Sequence, residues 1–241
     1  MKNFIAFALS TLILWSCAEK TEQADAQKLF VGTYTDGDSE GIYRYIFDPN
    51  TGVLSDKQLM AKLPNPSFLA FSKNREYLYA VQETADFDSL GGGVTAFKYK
   101  ENILEQLNSL GTHGAHPCHV ALSDTGELAV SNYTGGNLAV FQLNVNGSIA
   151  AIPQLIDHKV LDTVKAAHVH EAHFNSDGLF VADLGLDGIK RYSKHGNRWD
   201  IAQQTAIEME SGAGPRHFTF SEDHRFLYVI NELNATISVS E

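Results

Sequence analysis

The segment PRHFTFSEDHRFLYVINE, residues 215–232, opens on an Arg-His pair and closes on Asn-Glu, with an apolar middle broken by a turn. Arg216 is a permanent cation whose planar fork fits a carbonyl oxygen or a carboxylate, and Glu232 is a carboxylate that can take up a proton. Further upstream, AHVHEAH carries His168 and His170, and PCH carries His119 beside Cys118. Histidine, arginine and glutamate are the residue types that acid–base work and oxyanion stabilisation require. They act together only if the fold brings distant parts of the chain to one place.

A repeat supplies that convergence. Four segments share an apolar stretch, a short turn and an alternating strand: PSFLAFSKNREYLYAVQE (66–83), PCHVALSDTGELAVSNY (117–133), VHEAHFNSDGLFVADL (169–184) and PRHFTFSEDHRFLYVINE (215–232). Aligned on Phe71, Leu122, Phe174 and Phe220, they recur at spacings of 51, 52 and 46 residues. Each turn is of Ser/Asn/Asp/Gly/Lys type between runs rich in Val, Tyr, Phe and Leu, which is a hairpin signal. A further short strand follows each copy, and LFVGTYTDGDSEGIYRYIF (29–47) reads as a half-copy without its first strand. Periods of this length with several strands per unit predict an all-β fold built of β-propeller blades. No long stretch shows the apolar spacing of an amphipathic helix. A chain of β-sandwich domains would not repeat one hairpin at near-constant spacing.

Equivalent blade positions face a common axial pocket. Four residues before the alignment anchors stand Ser67, Cys118, His170 and Arg216, followed by Phe68, His119, Glu171 and His217. The ends of the second strands carry Tyr34, Glu83, Tyr133, Leu184 and Glu232. In a hairpin the start of one strand lies beside the end of the next, so Arg216 and Glu232 are expected to be cross-strand neighbours. Phe71, Leu122, Phe174 and Phe220 are expected to pack between blades. Structural readings stand beside these: Arg216–Glu232 as a salt bridge at the tunnel mouth, and His170 as a hydrogen-bonded packing residue. His168, His170 and His173 do not make a metal site, because alternation puts His173 on the other face. His116, Cys118 and His119 fail similarly, so neither a metal nor an organic cofactor is expected. No G-x-S-x-G elbow for serine catalysis is present.

A formal charge of -11 disfavours nucleic acid and phosphorylated ligands alike, since both need basic surface. Lys2 and the apolar run Phe4 to Trp15 read as a secretory signal, too short to span a bilayer. LWSC resembles a bacterial lipobox, which implies that residues 1–16 are removed, that Cys17 is lipidated, and that the protein is exported and anchored to the cell envelope. Residues 17–27 are then a polar linker and 28–241 the propeller. With Cys17 acylated, Cys118 has no disulfide partner. The sequence stops at Ser240-Glu241 directly after a strand, as expected of a fragment holding about four to five blades.

The segments HPCHVALSDTGELAVSNYTGGNLAVF, AHVHEAHFNSDGLFVADLGLDGI and GAGPRHFTFSEDHRFLYVINELN resemble the lactonase-type seven-bladed propeller family. That family includes the propeller form of 6-phosphogluconolactonase and the fungal carboxy-muconate lactonising enzyme. LFVGTYT and GIYRYIFDPNTGVL are similar to its N-terminus. The resemblance implies that His170, Arg216 and Glu232 are catalytic, with His168 beside them. His119, His217, Glu83 and Asn231 are the remaining candidates to contact substrate. It also implies a further arginine from a later blade, without a counterpart before residue 241. The implied activity is hydrolysis of a sugar lactone, phosphorylated or not, with a small lactone or sugar acid as partner. A non-catalytic binding or scaffold propeller and a muconate-type lactonising cycloisomerase are the alternatives.

Overall fold

The structure, a computed structural model, describes residues 24–241 apart from residue 90. Eighteen β-strands and one 3-10 turn, His158–Val160, make up its regular structure. The strands form five antiparallel meanders in chain order. The first sheet is β1 (Gln27–Val31), β2 (Gly41–Asp48) and β3 (Val53–Lys62). The second is β4 (Leu69–Phe71), β5 (Tyr77–Gln82), β6 (Gly93–Lys100) and β7 (Ile103–Gly111). The third is β8 (Pro117–Leu122), β9 (Glu127–Asn132), β10 (Asn137–Gln142) and β11 (Gln154–Asp157). The fourth is β12 (Val169–Asn175), β13 (Gly178–Asp183), β14 (Gly188–His195) and β15 (Arg198–Glu208). The fifth is β16 (Pro215–Phe220), β17 (Leu227–Asn231) and β18 (Thr236–Ser240).

The turns explain why the copies fold alike. In SKNRE, SDTGE and SEDHR the opening serine hydroxyl accepts the amide of the returning strand: Ser72 from Tyr77 at 3.0 Å, Ser123 from Glu127 at 2.9 Å, Ser221 from Phe226 at 2.9 Å. Side-chain mimicry of a backbone turn is what makes serine a turn former. Each hairpin then buries its second strand, almost throughout in the second, third and fourth sheets and at alternate residues in the fifth, with Val81, Val130, Val181 and Val229 all in the core. Burying such a side chain contributes about 1.5–3 kcal/mol.

Four apolar clusters join consecutive sheets. Ile42 and Leu63 meet Leu78 and Phe97; Tyr79 and Val94 meet Leu128 and Phe141; Leu138 and Val140 meet Leu179 and Tyr192; Phe180 and Ile189 meet Phe218 and Val229. Phe71, Leu122, Phe174 and Phe220 pack one in each cluster, all partly buried rather than fully. In the fifth sheet the opposite face carries exposed Tyr228, Ile230, Ile237 and Val239. The outer fourth strands β7, β11 and β15 were not foreseen from the repeat. In β7 and β11 most residues are exposed or half-buried, so they lack the apolar alternation that marks the inner three.

Candidate active site

One backbone device recurs at the same end of each hairpin. The amides of Glu83, Tyr133, Leu184 and Glu232 donate to the carbonyls of Asn65, His116, His168 and Gly214, at 2.8–3.0 Å. These bonds set the end of each second strand beside the start of its first. In the fifth sheet, the accepting residue has a φ of +67°, and a Cβ there would lie 2.5 Å from the Leu233 side chain. That is the reason for glycine ahead of Pro215.

A second device aims the side chains. The register shifts by one residue between Pro117 and His119, between Val169 and Glu171, and between Pro215 and His217. The extra residues are Cys118, His170 and Arg216, the very positions aligned by the repeat. A bulge leaves two residues opposite one and re-aims a side chain, and bulges are over-represented beside active sites. Here it lets both Arg216 and His217 reach toward β12.

Arg216 joins two sheets. Its Nε–H donates to His170 Nε2 at 2.7 Å, and its Nη1 lies 3.3 Å from Glu232 Oε2. His170 is buried, whereas the Arg216 and Glu232 side chains are 47% and 45% exposed. Burial, then the Arg216 charge and then His217, push the His170 imidazole down to about 3. The ring is therefore neutral at pH 7. Because Nε2 accepts from Arg216, the proton sits on Nδ1, which is buried with no hydrogen-bond partner. Tyr133 stands over this cluster, its ring edge-on to His170 at 5.8 Å. Burial, and next the Glu232 charge, raise the Tyr133 hydroxyl above its usual range.

The other candidates divide. His168 stacks on Tyr133 with ring centroids 4.6 Å apart, and its Nδ1 pairs with the Tyr133 carbonyl at 3.1 Å. Glu83 accepts from the Tyr34 hydroxyl at 2.9 Å and from the Ser67 hydroxyl, in the second sheet. His119 and His217 face Glu171 rather than the Arg216–Glu232 pair: His217 Nδ1 is 3.0 Å from Glu171 Oε2, and His119 Nε2 is 3.9 Å from Oε1. Asn231 turns into its own sheet, 1% exposed, donating to Thr236 Oγ1 and Ser238 Oγ at 3.0 and 2.8 Å. Its amide nitrogen is thus engaged within the sheet, and Asn231 stands with Arg216 and Glu232 on the wall of one cleft. Cys17 lies outside the described residues.

Two groups of residues lie outside the catalytic and substrate candidates drawn from the sequence. Glu171 stands in the register row with His119 and His217 and gathers both histidines. Asp183 is fully buried and takes the His168 amide at 2.9 Å, the Leu186 amide at 3.0 Å and His158 Nδ1 at 2.8 Å. His158 Nε2 in turn pairs with the Tyr192 hydroxyl at 2.8 Å. This dry network holds the start of β12, and with it His170. The signal was present: Gln82, Asn132, Asp183 and Asn231 are buried polar residues one place before each second-strand end.

Repeated four-stranded meanders with ionisable side chains converging from the bulged starts of their inner strands define a β-propeller with a polar axial site. The model of the family described as "Lactonase, 7-bladed beta-propeller" matches residues 28–241, and the chain belongs to that family. It is similar to a 6-phosphogluconolactonase of Formosa agariphila, 33% identical over 225 residues, covering 87% of this chain and 63% of that one. A 6-phosphogluconolactonase of Bacillus subtilis is 34% identical over 221 residues, covering 88% of this chain and 61% of its own. Among solved structures, the Pseudomonas aeruginosa periplasmic gluconolactonase superposes with a TM-score of 0.81 at 32% identity, over 89% of this chain and 64% of that one. The chain thus spans under two thirds of the length of these relatives.

Proposed function

We propose that this chain carries the active-site blades of a sugar-lactone hydrolase, with Arg216 as the electrophilic group and Glu232 as the general base. The observation that carries this is the Arg216 fork, held by His170 on one side and Glu232 on the other while about half of its surface faces solvent. A lactone carbonyl beside that fork would develop its oxyanion against a fixed cation. Glu232 keeps lone pairs free for the proton of an attacking water. His170 is the poorer base, since its one basic nitrogen is occupied by Arg216 Nε–H and burial disfavours its cation. Its role is to set the guanidinium plane.

The substrate is an unphosphorylated aldonolactone in this reading. Glu83 and Glu232 put two carboxylates at the same end of the blades as Arg216, on a chain of net charge -11. That field disfavours a phosphate dianion. Support comes from a structural neighbour that is a periplasmic gluconolactonase. Export and acylation at Cys17 belong to the same proposal and rest on the apolar run ahead of LWSC. The test is the hydrolysis rate of glucono-1,5-lactone against its 6-phosphate, with mass spectrometry of the N-terminal peptide from a bacterial host. A preference for the phosphate ester would overturn the substrate assignment, and an unmodified Cys17 the anchor.

A further inference from the structure

Beside the Arg216–His170 contact, three inner strands bring His119 from β8, Glu171 from β12 and His217 from β16 to one point. Each offers a ligand atom, and these atoms all lie within 4.8 Å of one another. We propose that this trio binds a divalent transition-metal ion, best matched by zinc, which ties the third, fourth and fifth sheets together at the axis.

The donor set decides the class of ion. Two imidazoles and one carboxylate suit zinc and its neighbours, whereas calcium and magnesium take oxygen. Zinc bonds of 2.0–2.2 Å in a tetrahedron put neighbouring ligand atoms about 3.3 Å apart. The 3.9 Å gap between His119 Nε2 and Glu171 Oε1 has only to close by roughly half an ångström to match. The 3.0 Å from His217 Nδ1 runs to the other carboxylate oxygen, Oε2, so the Glu171 carboxylate would straddle the ion or turn to meet it.

The surroundings are built as a metal site is built. The Phe218 amide donates to Glu171 Oε2 at 2.8 Å, the kind of outer support that fixes a ligating carboxylate. The His119 ring packs against Phe68 with centroids 4.1 Å apart, which sets its plane. His119 is 6% exposed; its Nδ1 is buried with no hydrogen-bond partner, and its Nε2 faces Glu171 Oε1 at 3.9 Å, beyond hydrogen-bond reach. Nε2, aimed at Glu171, is the nitrogen left to hold an ion. The trio opens on a cleft of about 320 Å³ with Tyr228, Ile230 and Ile237 on its walls, room enough for a water as fourth ligand.

The site is independent of the lactonase reading, and binding tests it without an activity assay. The full chain, made without a histidine tag and stripped with chelator, is titrated with zinc chloride in a calorimeter. One zinc per chain is expected. Glu171→Gln and His119→Ala should each weaken binding by about 10–100-fold or more. His195→Ala, on the exposed end of β14, should leave it unchanged. Should the buried variants fail to fold, His217→Gln at the half-exposed member gives the same reading. Cobalt(II) in the wild-type chain should show the visible absorption of a four- or five-coordinate ion, lost in Glu171→Gln or His217→Gln. No saturable zinc binding by the wild-type chain would overturn the proposal. So would saturable binding that Glu171→Gln and His217→Gln leave within twofold.

Discussion

The second and fifth sheets place a glutamate at the same position in the same backbone frame and surround it differently. Glu83 and Glu232 both end a second strand, and both amides are tied to the residue that precedes a proline. Around Glu83 the donors are the hydroxyls of Ser67 and Tyr34. Around Glu232 the partner is Arg216, which also reaches across to His170 in the next sheet. One repeat register thus holds a carboxylate met by hydroxyls and a carboxylate met by a guanidinium, and the side chain at the start of the inner strand decides which. The frame is common to the two sheets; the guanidinium beside the glutamate is peculiar to one of them.

The sharpest way to break this comparison is to neutralise each glutamate in turn. Glu232→Gln should lower kcat/KM for the lactone by about 10²–10⁴, the range for a lost general base. Glu83→Gln should cost less than about tenfold, because no cation beside it would be left uncompensated. Equal losses in steady-state assays would mean that the two corners do one job.

Removing support from the frame should act on both corners through stability. Asp183→Asn deprives buried His158 and two backbone amides of a charged acceptor, and a loss of about 1–3 kcal/mol in denaturant unfolding is expected. Phe220→Ala removes a ring packed against His173 and Phe180. Full burial would make that cost about 3–5 kcal/mol. Phe220 is only partly buried, so about 2 kcal/mol is the expected value. Ser67→Ala should have the smallest effect, under about 1 kcal/mol, since it deletes a single hydrogen bond that water can replace. A larger loss in its thermal melt would show that the Glu83 corner is part of the frame.

The sequence made the frame legible and left its refinements hidden. Hairpins separated by 46–52 residues show through because their inner strands are apolar and their turns open on serine in three copies and on Asn175 in the other. The outer strands were invisible because their faces meet solvent. Arg216 beside Glu232 followed from hairpin geometry alone. Its contact with His170 depended on bulges in both β12 and β16, and a bulge is a property of pairing that no single strand displays. Asn231 and Glu232 are adjacent in sequence and look equally available, yet strand alternation buries the first and exposes the second. Glu171 stands in the register row of the sequence, but its pairing with His119 and His217 is hidden there because those partners come from two other sheets.

The central claim is that Arg216 and Glu232 form a working pair and not a brace. An ion pair this exposed contributes only about 0.2–1 kcal/mol to stability. A double-mutant cycle of Arg216→Ala and Glu232→Gln, read both as kcat/KM for the lactone and as unfolding free energy, separates the two roles. The account predicts large single losses in kcat/KM, a double variant hardly worse than either single one, and stability changes below about 1 kcal/mol throughout. Unchanged kcat/KM with a marked loss of stability in both single variants would contradict it.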